Sequence, residues 1–293
     1  MRSRLSRDQH NSRSAVSLPV IYGAVRQQIG PTAAALMVVL CIGVFPLSPS
    51  WAQDADSPIE PAAEKVIREM SDFLAKKDSF SFETEVLYEN VWAGQDGNWD
   101  LPAEKTTAIR TVKTTIRRPD RFSVTIREEE NQVDFRYDGK TLLLADSAAK
   151  AFVKKVAPAN IDLTIKWLRD LYNSDPPISD LMESNLYETH MEDVIAASYI
   201  RTTRLRGKDV HQIAFAANDM DWQAWITVDD EPVPVLLQII HRDQTYWPVY
   251  QAWFYNWEFD QEIADAVFET TIPTDAFEMN FVEDENWERE ASE

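Results

Sequence analysis

Between residues 79 and 156, and again between 198 and 257, apolar and polar residues alternate with a period of two; the stretch between them carries apolar residues at helical spacing. Side chains alternate across a strand and repeat every 3.6 residues along a helix, so this pattern confines the chain to two antiparallel meanders around a helical interruption. In the first strand Phe80, Phe82, Thr84, Val86 and Tyr88 take one face and Ser81, Glu83, Glu85 and Leu87 the other. Further strands are expected over 106–117, 122–127, 133–137, 141–145 and 151–156, divided by turn residues at Arg118-Pro119-Asp120, Asn131, Asp138-Gly139 and Asp146-Ser147. The second set covers 198–205, 210–217, 221–228, 234–242 and 249–257, with hairpin signals at Arg206-Gly207-Lys208 and Asp229-Asp230-Glu231-Pro232.

Helices flank and interrupt the strands. Ser57-Pro58-Ile59-Glu60 reads as a capping box, followed by Val66, Ile67, Met70, Phe73 and Leu74 on one helical face, ending near Lys77. In the interruption, Ile161, Ile165, Leu168 and Leu171 mark a helix, Asp175-Pro176-Pro177 forces a break, and a second short helix is expected over 178–186. No Pro/Gly/Ser linker divides the strands. The expected fold is mainly β with helices (α+β), about ten or eleven strands in one β-rich domain over 53–293, with an acidic tail from Glu283 that frays.

Residues 31–45 (PTAAALMVVLCIGVF) form an uncharged apolar run behind a basic segment, and Ser50-Trp51-Ala52 precedes Gln53-Asp54 with small residues at the positions a signal peptidase requires. This predicts a signal peptide over 1–52, cleavage after Ala52 and a periplasmic destination. The alternative is an anchor retained in the membrane, but the run falls short of the roughly 20 residues a spanning helix needs. The single cysteine, Cys41, lies inside that run after Leu40, which does not fit a lipoprotein signal. A mature chain without cysteine must be held by its core and not by disulfides. Beyond residue 52 the chain carries 24 basic and 48 acidic residues. Such a field repels phosphate backbones, so no nucleic-acid partner is expected.

Seven glycines leave little material for phosphate-cradling loops, and neither GxGxxG nor GxxxxGK[ST] occurs. His190, His211 and His241 have no HxH or HExxH spacing, and no GxSxG is present, so no catalytic residue, metal ligand or cofactor is assigned. Asp96, Asn98 and Asp100 imitate the start of a calcium loop, but Leu101 stands where glycine is needed and Thr107 where glutamate is needed. The chain reads as a binding protein and not an enzyme. Its candidate ligand-binding residues are Trp222, Trp253, Tyr255 and Trp257. Period two puts Val249, Gln251, Trp253, Tyr255 and Trp257 on one face of the last strand and Tyr250, Ala252 and Phe254 on the other. Trp222 and Trp225 likewise point to opposite faces. Bulky groups on both faces require a cover on each side, either filled core or an apolar cavity lidded by the helices.

Met70-Ser71-Asp72-Phe73-Leu74, Arg118-Pro119-Asp120-Arg121-Phe122, Tyr137-Asp138-Gly139-Lys140-Thr141-Leu142, Asp221-Trp222-Gln223-Ala224-Trp225-Ile226 and Pro232-Val233-Pro234 occur in this order. Together they resemble a family of predicted bacterial periplasmic proteins of unknown function, related in fold to the outer-membrane lipoprotein carriers. The resemblance covers nearly all of 60–281. It implies an incomplete antiparallel β-barrel wrapped around helices, with an apolar interior, and it transfers no catalytic residue. The expected partner is an apolar or lipid-like ligand. The alternatives are a cell-envelope protein partner, and a carbohydrate bound or hydrolysed on stacked Trp253, Tyr255 and Trp257.

Overall fold

The computed structural model describes residues 57–92, 104–172, 176, 178–269, 272 and 274–279. The expected signal peptide, Cys41, the calcium-loop imitation at Asp96 to Asp100 and the acidic tail from Glu283 lie outside them. After helix α1 (Pro61–Ala75) come strands β1 (Ser79–Trp92), β2 (Glu104–Arg117), β3 (Arg121–Glu128), β4 (Asn131–Tyr137), β5 (Thr141–Asp146) and β6 (Ala151–Val156). The helical interruption holds α2 (Ile161–Tyr172), a 3-10 turn (Ser179–Met182) and α3 (Leu186–Met191). The second meander is β7 (Val194–Leu205), β8 (Lys208–Ala217), β9 (Met220–Thr227), β10 (Pro234–His241) and β11 (Val249–Phe259). A two-residue strand β12 (Phe277–Glu278) lies near the end of the described chain.

All strands join one twelve-stranded sheet, in the order β12-β6-β5-β4-β3-β2-β1-β11-β10-β9-β8-β7. Each meander pairs neighbour with neighbour. What makes them one sheet is the pairing of the first strand, β1, with the last long one, β11. All these pairs are antiparallel except β12 on β6. Among the described residues the sheet stays open, because β12 and β7 end it and do not meet. It is an incomplete barrel whose inner face wraps the helices.

The core follows from the alternation. Phe80, Phe82, Thr84 and Val86 of β1 are buried, and they pair across to Val112 and Ile116 of β2 and Phe254 of β11. Helix α1 buries Val66, Ile67, Met70 and Leu74 against this face, and α2 buries Ile161, Ile165 and Leu168. The helical cover is tied to the sheet by Arg118, which donates to the carbonyls of Met182 (2.7 Å) and Glu183 (3.1 Å). It is tied to α1 by Tyr187, which donates to Glu64 (2.9 Å) beneath the Arg68 guanidinium.

Two local expectations are corrected. Ser57 to Glu60 do not open α1 as a capping box. Pro61 is its first residue, Ile59 instead bridges in parallel to Ala197 of β7, and the Glu60 carboxylate is spent on the Tyr199 N–H at 2.8 Å. The short helix expected over 178–186 is split. Ile178 at φ 61° and an extended Glu183 at ψ 152° confine the first part to a 3-10 turn, and α3 begins afresh at Leu186.

Candidate functional site

Between the helical cover, α1 and the inner face of the sheet lies a cavity of about 190 Å³. Its floor is made by three neighbouring strands. Leu237 of β10 pairs with Ala224 of β9 and Ala252 of β11, and one row along Ile239 pairs with Trp222 and Tyr250. Small alanines on both sides of Leu237 leave a dip in an otherwise bulky surface. Ile67 and Met70 of α1 and Leu181 of the 3-10 turn close it from above.

Polar groups reach the same space from five elements: Arg110 from β2, Asp180 from the 3-10 turn, His190 from α3, His241 from β10 and Tyr250 from β11. Burial pushes the Tyr250 phenol up to about 12, although the nearby Arg110 guanidinium pulls the other way, so the hydroxyl keeps its proton. Burial also holds His241 below the usual imidazole range, against the pull of Asp243 and Asp219. His190 Nδ1 lies 2.8 Å from the Leu186 carbonyl, which can only accept, so the proton sits on Nδ1. Its ring meets Trp222 edge-on at 5.9 Å. Among the described residues no group of three or more His, Cys, Asp or Glu side chains could hold a metal ion.

The four aromatic residues singled out from the sequence do not come together. Trp222 lines the cavity, 7% exposed and stacked on Phe215 with ring centroids 3.7 Å apart. Trp253 and Tyr255 lie on the outer face, opposite Glu85 and Glu83, and the Arg206 guanidinium covers the Trp253 ring at 3.7 Å. Trp257 does not share their face, contrary to strict alternation. A β-bulge interrupts the β1/β11 register between Ser81 and Glu83, and Asn256 adopts φ 54° there. The extra residue turns Trp257 inward, where it stacks on Phe82. Tyr250 and Phe254, on the face opposite Trp253, do line the cavity.

Sequence reasoning missed Arg110 and the role of His241. The signal for Arg110 was present: it stands in register with Val112, Thr114 and Ile116 on the buried face of β2, where a cation has no structural reason to be. The His211 side chain goes elsewhere, to the Tyr199 hydroxyl at 2.8 Å.

The model of the family described as "predicted periplasmic protein (DUF2092)" matches residues 63–282. The chain belongs to this family. Its localisation is accordingly periplasmic, and no helix among the described residues is long and apolar enough to cross a membrane. No curated protein matches the DUF2092 chain by sequence. Solved structures resemble it in fold alone. The lipoprotein LppX of Mycobacterium tuberculosis aligns at 12% identity, covering 70% of this chain and 98% of its own, with a TM-score of 0.37. A LolA-superfamily protein of Nitrosomonas europaea aligns at 9%, covering 71% and 97%, with a TM-score of 0.30. The MucA/MucB complex of Pseudomonas aeruginosa contains a chain that aligns at 8%, covering 72% and 61%, with a TM-score of 0.38.

Proposed function

We propose that this periplasmic protein is a non-catalytic binder or carrier of an apolar or lipid-like ligand, held between the helical cover and the concave face of the sheet. The observation that carries this reading is the cavity of about 190 Å³ floored by Leu237, Ile239 and Trp222. An apolar cavity of ~150 Å³ admits benzene, and drug-sized ligand sites begin near ~300 Å³. The space therefore suits a single chain of modest length and not a diacyl lipid, unless the cover moves. Burying about six methylenes at ~0.8 kcal/mol each contributes about 5 kcal/mol before association costs, so the tail alone binds weakly.

Native mass spectrometry of gently purified protein tests the reading. Co-purifying small amphiphiles, and uptake of a fluorescent fatty acid by the emptied protein, are the expected results. Protein that is always empty and takes up no fatty acid would overturn it. A sugar-stacking platform is less well supported, because Trp257 faces away from Trp253 and Arg206 already occupies the Trp253 ring. Docking of an envelope protein on the outer face meets the same obstacle at Trp253.

A further inference from the structure

We infer that the ligand is a monocarboxylate amphiphile with one medium-length chain, and that Arg110 takes its carboxylate. The inference rests on the reading of the cavity as a binding site and adds the chemistry of the head group. Arg110 is the one guanidinium or ammonium among the described residues that line the cavity. Its Nε is buried and has no hydrogen-bond partner among the described residues. Among the described residues no carboxylate forms an ion pair with it, whereas the neighbouring inner-face groups are Val86, directly opposite, and the Tyr88 ring, 4.8 Å from the guanidinium carbon. A buried donor left unsatisfied is costly, and a guanidinium on an apolar face is more so, unless a ligand completes it.

Other polar groups in the cavity agree with an anion. The Tyr250 hydroxyl is engaged with the Arg110 side chain, and His241 Nδ1 is a second buried nitrogen without a partner among the described residues. The one acid among the described lining residues, Asp180, is engaged by Arg169 at 2.6 Å, so its charge is offset. A planar guanidinium fits a carboxylate through two parallel hydrogen bonds. The protein's net charge of −20 works against any anion, so a preference for one has to come from a local group. The cavity volume sets the chain to a single one, with Met70, Ile67 and Leu237 around the tail.

Titration calorimetry of the full mature chain with sodium octanoate and with 1-octanol separates the possibilities. The wild type should bind octanoate about tenfold or more tightly than 1-octanol. In Arg110→Met the octanoate advantage should vanish while 1-octanol binding stays within about twofold, since the tail contacts are untouched. Equal affinities in the wild type, or an octanoate preference that survives Arg110→Met, would overturn the assignment and leave the apolar-binder reading standing. If the wild type binds neither compound, the binder reading fails and the assignment with it. Should Arg110→Met not fold, Arg110→Gln and the wild-type pair of ligands decide in the same way.

Discussion

The Trp257 indole stacks on Phe82 with ring centroids 4.5 Å apart, on the inner face of the sheet, although Tyr255, two residues earlier in the same strand, points outward. The bulge at Asn256 accounts for this. Tyr255 pairs with Glu83 and Glu258 with Ser81, so two residues of β11, Asn256 and Trp257, stand opposite the single Phe82 of β1. Asparagine tolerates the left-handed φ of 54° better than other non-glycine residues, and its amide caps the kink by donating to Glu83 at 3.3 Å. The result is an inward row of Phe80, Phe82, Phe254, Trp257 and Phe259, with the indole N–H donating to the Pro234 carbonyl at 3.3 Å.

Trp257→Ala should therefore cost about 3 kcal/mol of stability or more, the range for removing a large aromatic from a packed site. Trp253→Ala, which loses mainly the Arg206 contact on the outer face, should cost about 1 kcal/mol. Urea unfolding of both variants checks the difference. Equal costs would mean that the two indoles are packed alike and that the bulge does not separate them.

The sequence made the strands legible because their two faces differ in polarity at nearly every position, as β1 illustrates. The sheet order was less accessible. Nothing local to Ser79–Trp92 says that it pairs with a strand more than 150 residues away, since pairing across that distance is decided by which edges remain after each meander closes. The face of Trp257 was misread for a related reason. One inserted residue reverses every side chain beyond it, and Asn256 carries no pattern that announces the insertion. Of the site, Trp222 was legible as a ligand-binding candidate, but not which of the two sheet faces it takes, because period two separates the faces without saying which is inward. Arg110 was passed over as one more strand residue, although its register with Val112 and Ile116 marked it as a cation on an apolar face.

Arg118 bridges the sheet and the helical cover through two main-chain carbonyls, those of Met182 and Glu183. Arg118→Leu leaves both without their donor, at a cost of about 1 to 3 kcal/mol. The loss should be local to the cover. Amide exchange should accelerate across 179–191 while β3 and β4 stay protected. Uniform acceleration across the whole sheet would mean that Arg118 supports the core and not the cover.

Ala224 is buried on the cavity floor beside Leu237. A leucine there would extend into open volume, so Ala224→Leu should change stability by about 1 kcal/mol or less, in contrast to the usual 1 to 3 kcal/mol for overpacking. Fatty-acid uptake should fall roughly tenfold, because the added carbons fill the space the tail needs. Unchanged uptake with an intact fold would move the binding site away from this cavity.

Export with cleavage after Ala52 predicts a mature chain that starts at Gln53. N-terminal sequencing of protein from a periplasmic extract reads this directly. Recovery only in membranes, with residues 37–45 still attached, would establish the anchored alternative instead.

His241 and His211 both have imidazoles held below the ordinary value by burial, so their folded forms bind a proton less readily than the unfolded chain does. For such groups the unfolded state takes up protons first as pH falls below about 6.5, the unperturbed histidine value. Stability is therefore lost as pH drops from that point towards the folded values, and the loss levels off below them. Glu183 acts with the opposite sign, because burial raises its carboxyl, and protonation as pH falls relieves a buried charge. The contribution of His241 is isolated by comparing wild type with His241→Gln, which keeps a polar group at the cavity but cannot titrate. Thermal melts at pH 7.5 and 5.5 should show a larger fall in Tm for the wild type than for the variant. Parallel falls would mean that His241 is charged in the fold at the lower pH, with Asp243 and Asp219 outweighing its burial.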